Sequence, residues 1–257
     1  MNFSKKFDMK FASRFTLICL MTFTATISAG SAKADCDVSD KLCVMAEVKK
    51  IAEDIDEKSW RDKTLRELAK SYTHEGHENK AIALIDEIQT PDTKAMTIRG
   101  IGMAAADNKW KDKERYKDLF KKLAEKAETI EHKPSYAIAY TYIAMSQAFA
   151  KDDEGAMATA KSMNNDALRH KAFAETAEIQ AERGDFDAAM ISIAEIESAS
   201  FRNKAYGTVS RIFIKRSKLT EAYKSAQKID NPYARAQVLQ NIINHSNKEE
   251  SSVSSKK

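Results

Sequence analysis

Positive charge recurs along this chain at Arg61, Lys94, Arg169, Arg202 and Arg235, with Tyr136 standing where a further member would fall. A guanidinium offers a rigid fork of donors, so a row of them suits carboxylates or carbonyls. Those acceptors can belong to an acidic protein or peptide partner, or to the protein itself. For the second option Asp56, Gln89, Glu131, Asn164, Glu197 and Asp230 form a matching series of hydrogen-bond acceptors. The intramolecular reading is the stronger, because a residue repeated in register generally serves the repeat. On the partner-binding reading, His170 and Asn203, each beside one of the arginines, join the same surface.

Other constellations carry less. His74-Glu75-Gly76-His77-Glu78 is one residue short of the zinc pattern H-E-x-x-H and straddles a turn, so it reads as a solvated turn. Gly100-Ile101-Gly102-Met103-Ala104-Ala105 matches G-x-G-x-x-A, but the dinucleotide fingerprint needs a preceding strand, and here helical packing explains the glycines. No nucleophile elbow, Walker lysine motif or placed cysteine nucleophile is found. The expectation is a protein that is not an enzyme, with no cofactor and no metal. Trp110, in the mixed-charge stretch Lys109–Lys117, is the best single contact candidate, at an exposed helix start. The competing reading is a longer helix, Lys113 to Glu131, whose Tyr116, Leu119, Phe120 and Leu123 pack on neighbours; both can hold.

These side chains are set by a repeating frame. Ala81, Ala156, Ala189 and Ala222, with Val48 and Leu123 at the same place, recur at intervals of about 33 residues, with one of about 42. Behind each stands a large apolar residue: Ile55, Ile88, Ile130, Met163, Ile196 or Ile229. Ahead of them lie Leu65, Ile98, Tyr140, Phe173, Tyr206 and Leu239, then small residues such as Ala69, Gly102, Ala144, Ala177 and Ser210. Large residues at helical spacing make an inward stripe, and the small ones let a second helix approach. Pro91, Pro134 and Pro232 fall between units; Gly76 and Gly184 fall between the helices of a unit. The reading is a helix over 41–55, five pairs (60–88, 92–130, 134–163, 165–196, 200–229) and a closing helix over 232–245.

A small residue in the first helix, matched about twelve positions on by an alanine opening the second (Ala177 with Ala189), resembles the tetratricopeptide repeat. The resemblance covers roughly residues 60 to 245, with Phe173 and Thr176-Ala177 in place of that family's tryptophan and leucine-glycine pair. It implies an all-α, right-handed solenoid of antiparallel helix pairs, about eleven helices in all. It also implies a concave groove lined by first helices that binds proteins or peptides.

The ends of the chain speak to compartment. Lys5, Lys6, Lys10 and Arg14 precede an apolar run from Phe15 to Ile27 and a small-x-small site at Ala32-Lys33-Ala34. That is a secretory signal peptide over 1–34, too short to span a membrane. It implies export, with the periplasm the first expectation and secretion the alternative, and no integral membrane segment in the mature chain. The full chain has 42 basic and 38 acidic residues, net +4, but the leader holds five of the former and one of the latter. The remainder is formally neutral, which gives no support for nucleic-acid binding. Cys36 and Cys43 are expected to pair in an oxidising compartment. On one continuous helix they would lie about 10 Å apart, so pairing requires residues 36 to about 40 to leave the helix. Residues 35–245 read as one repeat domain and 246–257 as a disordered tail. The function expected is a scaffold for another protein or an extended peptide. The alternative is a self-associating envelope component that uses terminal apolar faces such as Ile242 and Ile243.

Overall fold

The computed structural model describes residues 36–254, with side chains to residue 248. The expected leader, 1–34, lies outside the described residues, as do 255–257. Among the described residues the secondary structure is twelve helices with no strand. Helix α1 (Lys41–Glu53) stands alone at the start. Five pairs follow: α2 (Lys58–His74) with α3 (Glu78–Glu87), α4 (Pro91–Asp107) with α5 (Lys113–Glu128), and α6 (Lys133–Phe149) with α7 (Asp153–Lys161). The last two are α8 (Asp166–Arg183) with α9 (Phe186–Ala194), and α10 (Ala199–Lys215) with α11 (Leu219–Ala226); α12 (Pro232–Ser254) closes the array.

Local chemistry sets these boundaries. Side-chain oxygens of Asp40, Asp112, Asp152 and Asn165 accept backbone N–H groups of the first turns of α1, α5, α7 and α8. Pro91 and Pro134 occupy the first turns of α4 and α6, where a missing N–H costs nothing. Cys36 and Cys43 stand at disulfide distance and both are disulfide-bonded. Residues 36–40 lie outside the helix, as pairing requires. Helix α12 runs to Ser254, past the expected end at His245 and into the segment expected to be disordered. Neither glycine nor proline stands between residues 246 and 254 to stop it.

Each turn inside a pair contains one residue in the left-handed region: Gly76 (φ 78°), Lys109 (51°), Lys151 (63°), Gly184 (91°) and Ser217 (56°). These five hold one repeat position. In four of them the next residue's N–H bonds back across the helix end, His77 to Tyr72 at 2.8 Å, and Asp152 to Gln147, Asp185 to Gln180 and Lys218 to Phe213 at 2.9 Å each. This closes the first helix in the manner of a Schellman cap.

Packing follows the small-residue positions. Ala69, Ala144, Ala177 and Ser210 in first helices, and Ala81, Ala156, Ala189 and Ala222 in second helices, are all fully buried. Each first helix packs on the next: α2 on α4, α4 on α6, α6 on α8, α8 on α10 and α10 on α12. The second helices pack chiefly on their own first helices, except α5, which lies against α4 and α6 alike and also meets α3. The inserted residues lengthen α5 to 16 residues, against 8 to 10 in the other second helices. It lies along α3, joined by Arg115–Glu78, Lys122–Asn79 and Lys126–Asp86 contacts. Two large apolar clusters, one from α1 to α6 and one from α6 to α12, both end at Tyr140, which is half-buried and packs against each.

Candidate functional site

The first-helix row carries the candidate surface. Clefts of about 320 Å³ between α2 and α4, 560 Å³ between α6 and α8, and 710 Å³ between α10 and α12 open along it. The first has Arg66, Lys70, Met96 and Met103 in its walls. The third is lined by amides, including Asn203, Asn241 and Asn244, together with Lys204 and Arg211. Between them α8 presents Glu175 and Glu178. Burial pushes the Glu175 carboxyl above its usual range against the pull of Lys171 and Arg99. Burial, then Glu175 and Glu182, does the same to Glu178. Arg99 lies 5.6 Å from the ring centroid of Tyr142, so a cation is stacked across the α4–α6 boundary.

The arginine series is placed where the turns between units meet. Arg169 donates to the Met163 carbonyl at 3.0 Å and reaches Glu197 of the following unit at 3.5 Å. Arg202 repeats this with the Ile196 carbonyl at 2.8 Å and Asp230 at 3.5 Å. Each guanidinium thus fastens its own entry turn to the next one, a contact made inside the array. Arg61 pairs instead with Asp62 at 3.3 Å. Lys94 and Arg235 are half-buried, with no ion pair among the described residues.

His170 and Asn203 occupy one repeat position with different outcomes. Asn203 Oδ1 accepts the N–H of Asp230 at 2.9 Å. His170 is buried, 6% exposed, its ring 5.6 Å from Phe201, and its Nε2 has no hydrogen-bond partner. Asp62 holds the same place in α2 and is fully buried, accepting N–H groups of Gln89 and Thr90 at 3.2 and 2.8 Å. Asp62 and Asn203 thus cap the entry to the next unit, a role the sequence pattern did not reveal because Ala95, Ala137 and Ala236 fill the position elsewhere.

Trp110 lies in the loop ahead of α5 and is half-buried. Its ring is 4.9 Å from Tyr116, and the Arg115 guanidinium stacks 3.9 Å over it, which reduces the exposure expected at a helix start. It borders a cleft of about 570 Å³ facing the α6–α7 turn. The tryptophan the sequence passed over is Trp60, 62% exposed at the start of α2, with the Lys63 ammonium 4.7 Å from its ring. Its placement just before a helical stripe was the available signal.

The remaining motifs resolve into structure. His74 lies in the last turn of α2 and His77 precedes α3, while Glu75 and Glu78 pair with Lys41 and Arg115. A Cβ at Gly102 would come within 2.6 Å of Ser146, so α4 and α6 meet closely there. His132, Ser135 and Asp92 are linked, but buried Ser135 donates to the Asp92 carboxylate and stands 2.6 Å from His132 Nδ1. Its proton goes to the carboxylate, so the imidazole does not activate it; the group ties α4 to α6.

No protein-family model matches this chain, and no curated protein matches it in sequence. The class that its fold and surface define is an all-α array of packed helix pairs with helical-repeat character.

Proposed function

We propose that this protein is an exported helical-repeat scaffold, akin to tetratricopeptide-repeat proteins, that binds another protein or an extended peptide along its first-helix row. The periplasm is the compartment this reading assigns, on the leader-like start of the sequence and the paired cysteines. The observation that carries it is the run of separate clefts between successive first helices. A row of shallow clefts suits a ligand that extends across several units, whereas a small-molecule site concentrates its contacts in one cavity. The test is in-cell photocrosslinking from probes at Met103 and Arg211, with partners identified by mass spectrometry. If no probe along the row captures a partner, the reading fails.

A second reading rests on the array's ends. Val38, Leu42, Ile51 and Trp60 are exposed near the start, and Tyr233 and Ile243 near the finish. Apolar residues left uncovered there favour a self-associating envelope component. Light scattering over a range of concentrations decides it, since a strict monomer removes the idea. Among the described residues no helix is long and apolar enough to cross a membrane.

A further inference from the structure

The joint between α6 and α8 departs from the two joints that follow it in two ways. At the next two joints an arginine closes the gap, Arg169 reaching Glu197 and Arg202 reaching Asp230. Here both partners are exchanged together, with Tyr136 at the arginine's repeat position and Asn164 at the acid's. Tyr140 is half-exposed, whereas its counterparts in the other internal units, Leu65, Ile98, Phe173 and Tyr206, are buried. A cleft of about 560 Å³ lies open between the two helices. Tyr136 and Tyr140, with ring centroids 5.0 Å apart, line it with Ile138, Met163 and Leu168.

We propose that this unlatched joint is a binding pocket for one large apolar side chain of an extended peptide that carries an acidic residue beside it. The proposal rests on the reading above, in which the first-helix row receives an extended chain. The walls are mostly apolar, so an apolar group gains by leaving water for them. Charge selects what stands next to it. Apart from the tyrosines, Lys133 is the one ionisable group lining the pocket; it is exposed and has no ion pair among the described residues. Helices α6 and α8 both begin at the rim, and α6 has no side-chain cap, so backbone N–H dipoles there add to the positive potential. Of the flanking carboxylates, Glu128 accepts from the Tyr140 hydroxyl at 3.2 Å, and Asp166 in the first turn of α8 is paired with Arg169 at 2.9 Å. Asn164 and Asn165, also at the rim, supply amide groups for a peptide backbone.

The probes are three capped, fluorescein-labelled peptides with the central pairs Leu-Glu, Leu-Lys and Ser-Glu, titrated by anisotropy against the purified full chain. Leu-Glu is expected to bind about tenfold tighter than either of the others. The test variant combines Tyr136→Arg with Asn164→Glu, which installs the charge pair of the next two joints and removes one aromatic wall of the cleft. It should melt at or above the parent temperature and lose Leu-Glu binding by about tenfold. A folded double variant that binds Leu-Glu as the parent does overturns the proposal, as does Leu-Glu binding no tighter than Ser-Glu. Partner capture at Met103 or Arg211 that survives the double substitution rejects this pocket alone, whereas capture nowhere along the row rejects the scaffold reading.

Discussion

The Tyr116 hydroxyl accepts the backbone N–H of Trp110 at 3.0 Å and donates to the Ala105 carbonyl at 3.2 Å. In the other four within-pair turns the equivalent N–H and carbonyl bond each other directly. The inserted residues open this turn, and a phenol bridges the gap. Because Tyr116 is buried, Tyr116→Phe strips the Trp110 N–H of its partner and leaves the Ala105 carbonyl with the Asn108 N–H at 3.2 Å, at no gain in packing. The variant should lose about 1–3 kcal/mol of stability, read from the midpoint of urea unfolding. An unchanged midpoint would mean that water replaces the hydroxyl and the bridge is dispensable.

The same turn position offers the opposite experiment. Lys151 holds φ at 63°, where Gly184 stands in the next unit at 91°. A side chain in the left-handed region is strained, while glycine is not. Lys151→Gly should therefore raise stability by about 0.5–1 kcal/mol, and Gly184→Ala should lower it by a similar amount. Thermal melts of the two variants check this; a fall for Lys151→Gly removes the strain argument.

The repeat was legible in the sequence because small and large apolar residues recur with helical spacing, and burial imposes that alternation at every unit. Ala177 and Ala189 or Ile196 cannot be exchanged for polar residues without opening the seam. The turn geometry was legible only where glycine marked it, at Gly76 and Gly184. Lys109, Lys151 and Ser217 adopt the same conformation under pressure from the surrounding pair, and nothing in their type announces it. The candidate surface was harder still. Arg169 and Arg202 could have served a partner or the repeat itself, and their reach, set by the spacing of neighbouring turns, lands on Met163, Glu197, Ile196 and Asp230, as the favoured intramolecular reading expects. The informative position was the exception, Tyr136, whose meaning depended on the matching change at Asn164.

Asp62 is a buried carboxylate held by the turn it caps. Burial alone would raise its pKa, but hydrogen bonds from Thr90 and Gln89, with Arg61 adding to them, hold it below its usual 3.8. A depressed carboxyl contributes stability that is complete above 3.8 and is lost as pH falls through the folded-state value. Asp62→Ala should cost about 1.5–3 kcal/mol at neutral pH, the range for hydrogen bonds to a charged group. The difference between parent and variant should shrink in more acidic buffer. A gap that stays constant down to the acid transition would show that Asp62 works through shape rather than charge.

Glu178 runs the other way. Its carboxyl is raised above the usual 4.5 by burial and by Glu175 and Glu182, with Arg211 and Lys204 only partly offsetting them. For a raised carboxyl, the stabilising contribution is present below the unfolded value and lost as pH climbs through the folded one, so at neutral pH the ionised form weakens the fold. Glu178→Gln removes that charge while keeping the shape, and it should melt higher than the parent at pH 7. The advantage should narrow as pH falls toward 4.5, where the parent's own carboxyl takes up its proton. Calorimetry at several pH values provides the check. A Glu178→Gln variant that melts lower at neutral pH would mean that Arg211 and Lys204 need this carboxylate more than burial penalises it, and that the acidic stretch of α8 is a structural pairing.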